Sequence, residues 1–202
     1  MNNNGWLDIS LKQYRFIKDI MLDVDISDED RMWQLVQVVY NVDTNDIPMQ
    51  DLKKYINGLG FIERPMPKMK IKDRYKVDGR EYELRKELGD FSVAQFIDWQ
   101  NYMKEGGDID NAENLLSVFF IPVGCKYGEN YDIQKVKEDI SNMKIVDVNT
   151  ILAFFLRQSK AYMIRSLSYS QKKTMKAMKG WKKKMKVRLM YLKMKMKILV
   201  GD

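Results

Sequence analysis

At Gln171 the chain changes character, and no single compact fold reads through that point. From Gln171 to Asp202 there are twelve Lys or Arg residues and one acid, Asp202. The whole chain carries 35 basic and 28 acidic residues, so residues 1–170 hold 23 and 27, a net charge of −4. An acidic body, 1–170, therefore precedes a basic, methionine-rich arm, 171–202. That asymmetry points to a partner, either nucleic acid or an acidic protein surface, and does not point to a reaction.

The length suits one core with an appended arm. With 45% hydrophobic residues the body is expected to fold. Its apolar residues recur mostly at helical spacing, which predicts a mainly α fold: one helical domain with one small β-hairpin and a long basic C-terminal helical arm. Trp6 to Ile9 is expected to dock onto the body. Ser10 caps a helix through Leu22 that carries Leu11, Tyr14, Ile17, Ile20 and Met21 on its apolar face. Ser27 opens a second helix, with Asp28, Glu29 and Asp30 at its positive dipole end and Met32, Leu35, Val36, Val39 and Tyr40 as its stripe. Asp51 to Asn57 predicts a short helix stopped by Gly58 and Gly60, and Glu63 to Lys68 a connector.

The strongest β signal is the hairpin at about 73–84. Two alternating runs flank Asp78-Gly79, and a two-residue turn of that type needs positive φ at both positions. Tyr75, Val77, Tyr82 and Leu84 fall on one face, which must pack on helices because an isolated hairpin is not stable. Ser92 with Gln95 has capping-box spacing and opens a helix with Phe96, Trp99, Tyr102 and Met103, ending at Gly106-Gly107. The run 111–121 reads as a central apolar helix stopped by Pro122 and Gly124. Asp132 to Met143 is amphipathic through Ile133, Val136 and Ile140. Val146 to Ser170 reads as the longest body helix, with a stripe of Ile151, Leu152, Phe155, Leu156, Tyr162, Met163 and Leu167.

In the arm, Met178, Trp181, Met185, Leu189, Leu192, Met196 and Leu199 are spaced close to a heptad seam. A helix from Gln171 to Asp202 would span roughly 48 Å at 1.5 Å per residue, with Gly180 as a hinge that weakens it by about 1 kcal/mol relative to Ala. Three partners suit such an arm. A protein groove, or a second copy in a homo-oligomer, would take the partner-binding positions Met178, Trp181, Met185, Leu189, Leu192 and Met196, since methionine fits adaptable surfaces. Nucleic-acid phosphates, or an acidic surface, would be met by Lys179, Lys182, Lys183, Lys184, Lys186, Arg188 and Lys193, with Trp181 and Tyr191 stacking or packing. An anionic membrane is the third and is not expected. The plainer alternative is a solvated helix packing its stripe on its own body. A periodic apolar seam favours the protein partner, because phosphate binding alone does not require one.

Catalysis is not expected. The chain has no histidine, which removes the usual general base and the commonest metal ligand. Asp23, Asp25, Asp28, Glu29 and Asp30 are dense, but their spacing is not an EF-hand loop and Ser27 followed by acids is an ordinary helix start. Gly124-Cys125-Lys126-Tyr127-Gly128 has no following Lys-Ser/Thr and is not a P-loop. Cys125, the single cysteine, has no histidine to activate it and reads as a partly buried, inert thiol. No metal and no cofactor is expected. One cysteine also excludes an intrachain disulfide and suits a reducing compartment, or a particle assembled inside a cell. Met1-Asn2-Asn3-Asn4-Gly5 has no signal-peptide pattern, and the run 115–124 is too short to span a membrane. The expectation is a soluble protein, neither secreted nor transmembrane.

The order of elements carries a resemblance. A Trp-Leu-Asp-Ile segment and a hairpin precede Phe91-Ser92-Val93-Ala94-Gln95-Phe96-Ile97-Asp98-Trp99. Leu115-Leu116-Ser117-Val118-Phe119-Phe120-Ile121-Pro122, Tyr127-Gly128, Tyr131-Asp132 and Phe154-Phe155-Leu156 follow. Over roughly 6–170 this resembles small virion-assembly proteins of tailed bacteriophages, of the tail or baseplate assembly chaperone type. The resemblance implies a mostly helical, non-enzymatic adaptor that binds other virion proteins, located in the virion or in the host cytoplasm during assembly. The basic arm departs from that pattern, so a permanent virion component and a transient chaperone both remain open. The rival is an accessory protein that binds nucleic acid through 171–202.

Overall fold

The computed structural model describes residues 5–161. The chain divides into two compact units, Met1–Leu156 and Arg157–Asp202. The described part of the first is mainly helical with a small antiparallel sheet. Residues 157–161 of the second are helical. The stripe residues Tyr162, Met163 and Leu167, and the whole arm, lie outside the described residues.

Local signals set most boundaries. Helix α1 is Leu11–Leu22, closed at its start by a reciprocal box in which Gln13 N–H donates to Ser10 Oγ and Ser10 N–H donates to Gln13 Oε1. Each half of the box satisfies a helix-end donor that would otherwise be orphaned. Helix α2 is Asp28–Tyr40, capped by Ser27. The two helices pack against each other, and Leu11, Ile17 and Ile20 on α1 and Leu35, Val36 and Val39 on α2 are all buried. Met21, expected on the buried face, is 47% exposed. It sits at the last turn of α1, where the chain departs for the loop.

Helix α3 is Met49–Gly58, and Leu59–Phe61 continue as a 3₁₀ turn. The α-helix ends at Gly58 as expected, but not through a left-handed glycine: its φ of −70° is right-handed and the chain tightens into the 3₁₀ turn. The value of the glycine is spatial. A Cβ there would overlap Tyr40 Oη, which donates to the Tyr55 carbonyl at 3.2 Å. The N-terminal segment docks as expected: Trp6 and Ile9 are buried. The Trp6 indole N–H donates to the Arg64 carbonyl at 2.8 Å, and its ring meets Phe61 edge-on at 5.0 Å.

Strands β1 (Arg74–Val77) and β2 (Arg80–Leu84) form the hairpin, with Tyr75 opposite Tyr82. Asp78 and Gly79 have φ of 47° and 82°, both positive as the turn demands. Tyr75, Val77, Tyr82 and Leu84 are buried on one face. Gly79→Val is expected to cost more than about 1 kcal/mol of stability. A Cβ at Gly79 meets nothing within 4 Å, so the loss would be backbone strain alone. Chemical denaturation against a Gly79→Ala control checks it, and a neutral valine would contradict the turn.

Helix α4 is Val93–Glu105, with the expected Ser92–Gln95 capping box and an end at Gly106, whose φ is 147°. The expected helix over 111–121 is shorter: α5 is Ala112–Ser117, and Phe120–Pro122 are strand β3, paired with β2 so that Leu84 faces Phe120 and Tyr82 faces Pro122. The hairpin's second edge supplies backbone partners that outweigh helix continuation. Arg85 N–H donates to the Phe119 carbonyl at 2.9 Å and Val123 N–H to the Glu81 carbonyl at 3.0 Å. The sheet thus has a third strand in addition to the expected hairpin.

Helix α6 is Ile133–Asn142, with Val136 and Ile140 buried, and packs on α5. Residues 145–156 form α7, with Ile151, Leu152 and Phe155 buried. Leu11 N–H donates to the Met143 carbonyl and Ile145 N–H to the Ile9 carbonyl, both at 2.8 Å. These bonds tie the N-terminal segment to the α6–α7 junction. Phe119 and Phe155 stack at 3.5 Å in the middle of the core.

Candidate partner-binding groove

The corner between α1 and α2 combines acids and exposed apolar side chains. Residues 19–30 contain six acids and no base. Leu22 is 67% and Val24 88% exposed within that run. The loop holds its shape through its own polar groups. Asp25 N–H donates to Asp23 Oδ1 at 2.9 Å, and Asp30 N–H to Ser27 Oγ at 3.1 Å. Arg31 reaches back to pin it, pairing with Asp28 at 2.9 Å and donating to the Asp23 carbonyl at 2.7 Å.

Beside this corner an apolar groove opens between α2 and α3. One pocket, of about 340 Å³, is lined by Met21, Met32, Leu35, Ile56, Leu59 and Ile62, with Asp28, Arg31, Gly60 and Glu63 contributing the rest. A second, of about 220 Å³, shares Met32 and Ile56 and adds Trp33, Leu52 and Glu29. Met32 and Ile56 line both, so the two pockets are neighbours on this surface. The lining is mostly apolar, with Glu29, Glu63 and the Asp28–Arg31 ion pair at its edge. Such a surface can bury an apolar stripe while its carboxylates meet basic side chains. Helix spacing marked Met32 and Leu35 as core in the sequence, and α3 leaves Met32 half-covered. Leu22 and Val24, apolar residues interleaved with acids in a loop, were the available signal for this surface.

A cleft of about 590 Å³ lies between the hairpin and the α6–α7 junction. It mixes Lys72, Lys76 and Lys144 with Asp8, Asp78 and Asp147. Lys144 pairs with Asp8 at 3.7 Å, and Asn142 donates to Asp78 at 2.7 Å. Burial pushes the Asp147 carboxyl above the usual carboxylate range, opposed by Lys72 and Lys144.

Two tyrosine–carboxylate contacts brace the body, one buried and one half-buried. Tyr82 O–H donates to Asp139 Oδ2 at 2.5 Å, with Arg80 at 3.5 Å from the same oxygen and Lys135 at 3.4 Å from Oδ1. Tyr127 O–H donates to Asp98 at 2.7 Å. Burial first, and then the neighbouring carboxylate, raises both phenols above tyrosine's ordinary value. These phenols stay protonated and serve as donors. Cys125 is half-buried, with Sγ 3.8 Å from the Asn130 carbonyl. Among the described residues no group of three or more Cys, Asp or Glu is placed to hold a metal ion. No helix among them is long and apolar enough to cross a membrane.

The sequence-predicted seam positions Met178, Trp181, Met185, Leu189, Leu192 and Met196 lie outside the described residues. So do the basic positions Lys179, Lys182, Lys183, Lys184, Lys186, Arg188 and Lys193. The acids Asp28, Glu29 and Asp30 occupy the first turn of α2 as expected. No protein-family model matches the chain, and neither a curated protein nor a solved structure matches it.

Proposed function

We propose that the protein is a non-enzymatic assembly or structural adaptor of a tailed-phage particle that binds other virion proteins, with the basic arm as a docking element. The observation that carries this reading is the uncovered apolar surface at the α1–α2 corner: Met21, Leu22 and Val24 are 47%, 67% and 88% exposed among acids and lie next to an apolar groove. Apolar groups concentrated on one face mark protein-docking surfaces. The virion setting rests on the sequence resemblance over roughly 6–170. A nucleic-acid accessory role is the second reading, favoured by the twelve Lys and Arg of 171–202. The acidic surface of residues 19–30 would repel a phosphate backbone.

Removing the protein from the phage that encodes it should stop particle assembly at an intermediate lacking one structural component. Supplying the protein from a plasmid should restore particles. Complete particles in normal yield without it would defeat the adaptor reading. Normal particles with a defect only in nucleic-acid handling would favour the second.

A further inference from the structure

We propose that the α2–α3 groove receives residues 171–202 of a second copy of this chain, so that copies join head to tail. This deepens the adaptor reading, on which it rests, by naming the occupant of the groove. The argument is complementarity between two surfaces of one sequence. The groove is lined by the apolar Met32, Leu35, Ile56 and Leu59, with Glu29, Glu63 and the Asp28–Arg31 ion pair at its edge. Residues 171–202 supply the opposite in both respects: twelve Lys or Arg against one acid, and an apolar seam of Met and Leu. Unbranched methionines on the seam can fill an irregular floor, and the methionines of the groove can adjust to them. The six acids and no bases of residues 19–30 extend the negative field beyond the groove and suit a long basic segment.

Because the two surfaces differ, their pairing is heterologous. Each copy that offers an arm keeps an open groove, so growth continues unless the geometry closes a ring. The association should also weaken as salt screens the rim carboxylates from the lysines.

The test uses the purified full chain in sedimentation velocity and light scattering, over a concentration series at low and high salt. Three variants are needed. An arm variant carries Met185→Gln, Leu189→Gln and Leu192→Gln. A groove variant carries Met21→Gln and Ile56→Gln. A rim variant carries Glu29→Gln and Glu63→Lys, at two exposed positions, with its folding checked by circular dichroism. Wild type should form species larger than a dimer that dissociate at high salt. Each variant alone should associate at least ten-fold more weakly. The arm variant mixed with the groove or rim variant should give a one-to-one dimer and nothing larger, because only one intact pair remains. Association of groove and rim variants as strong as wild type would show that arms pair with arms, and would overturn the proposal. A wild-type chain that stays monomeric at every concentration would also overturn it. The purified protein alone decides this, whereas the adaptor reading is decided in particles, so the two can fail separately.

Discussion

Phe119→Ala should destabilise the body by about 3–5 kcal/mol, as expected for truncating a fully buried aromatic in a packed core. The ring is 1% exposed. It stacks on Phe155 at 3.5 Å with a 22° interplanar angle and meets Phe91 at 5.1 Å. Phe91 precedes α4, Phe119 lies between α5 and β3, and Phe155 is on α7, so one side chain joins three segments distant in sequence. Removing it leaves a cavity that three elements must close at once, which limits relaxation. Phe119→Leu keeps most of the volume and should cost less than about 1.5 kcal/mol. Equilibrium denaturation of the full chain measures both. An alanine variant within 1 kcal/mol of wild type, on the order of a surface change, would show that this stack does not organise the core.

Tyr82→Phe should cost about 1.5–3 kcal/mol, the range for losing a hydrogen bond to a charged group. Tyr82 is 2% exposed, and its acceptor Asp139 is fully buried. Without the phenol, Asp139 Oδ2 keeps only Arg80 at 3.5 Å, and that side chain is half-exposed. The same pair sets an alkaline limit. The folded phenol ionises above tyrosine's ordinary 10.0, mainly because it is buried. The unfolded chain therefore loses this proton first as pH rises. The contribution is complete below about pH 10 and declines above it. Stability measured from about pH 8 upward should fall above about pH 10 in wild type, and less steeply in Tyr82→Phe. Parallel profiles would assign the alkaline loss to other tyrosines.

What was legible in the sequence was local. Ser10, Ser27 and Ser92 fix helix starts because side-chain oxygen and first-turn N–H lie within four residues of each other. Asp78-Gly79 fixes the hairpin because few other pairs accept two positive φ values. The alternation of Tyr75, Val77, Tyr82 and Leu84 then fixes which face is buried. What was not legible depended on distant partners. The run 115–121 is apolar at nearly every position, so its period cannot separate helix from buried strand. The open edge of β2, more than thirty residues earlier, decides that 120–122 are extended. Gly58 ends α3 as read, but the need for a glycine there comes from Tyr40, eighteen residues earlier. The groove was hidden for the same reason: Met32 and Leu35 read as core, and only the placement of α3 shows where the cover ends.

The central claim is that the apolar seam is required for binding of the protein partner, and that charge strengthens that binding without being able to replace it. One measurement tests it directly. Two full-length variants are compared with wild type for binding to candidate virion proteins, the partner class proposed above, and to generic DNA across a salt series. The first replaces Met185, Leu189, Leu192 and Met196 with Gln and keeps every charge. The second replaces Lys182, Lys183, Lys184 and Lys186 with Gln and keeps the seam. The account predicts that the seam variant loses its virion partner and retains weak, salt-sensitive DNA binding, while the charge variant loses DNA binding first and keeps the partner. A seam variant that keeps the partner, beside a charge variant that loses it, would contradict the account and make 171–202 an electrostatic tether.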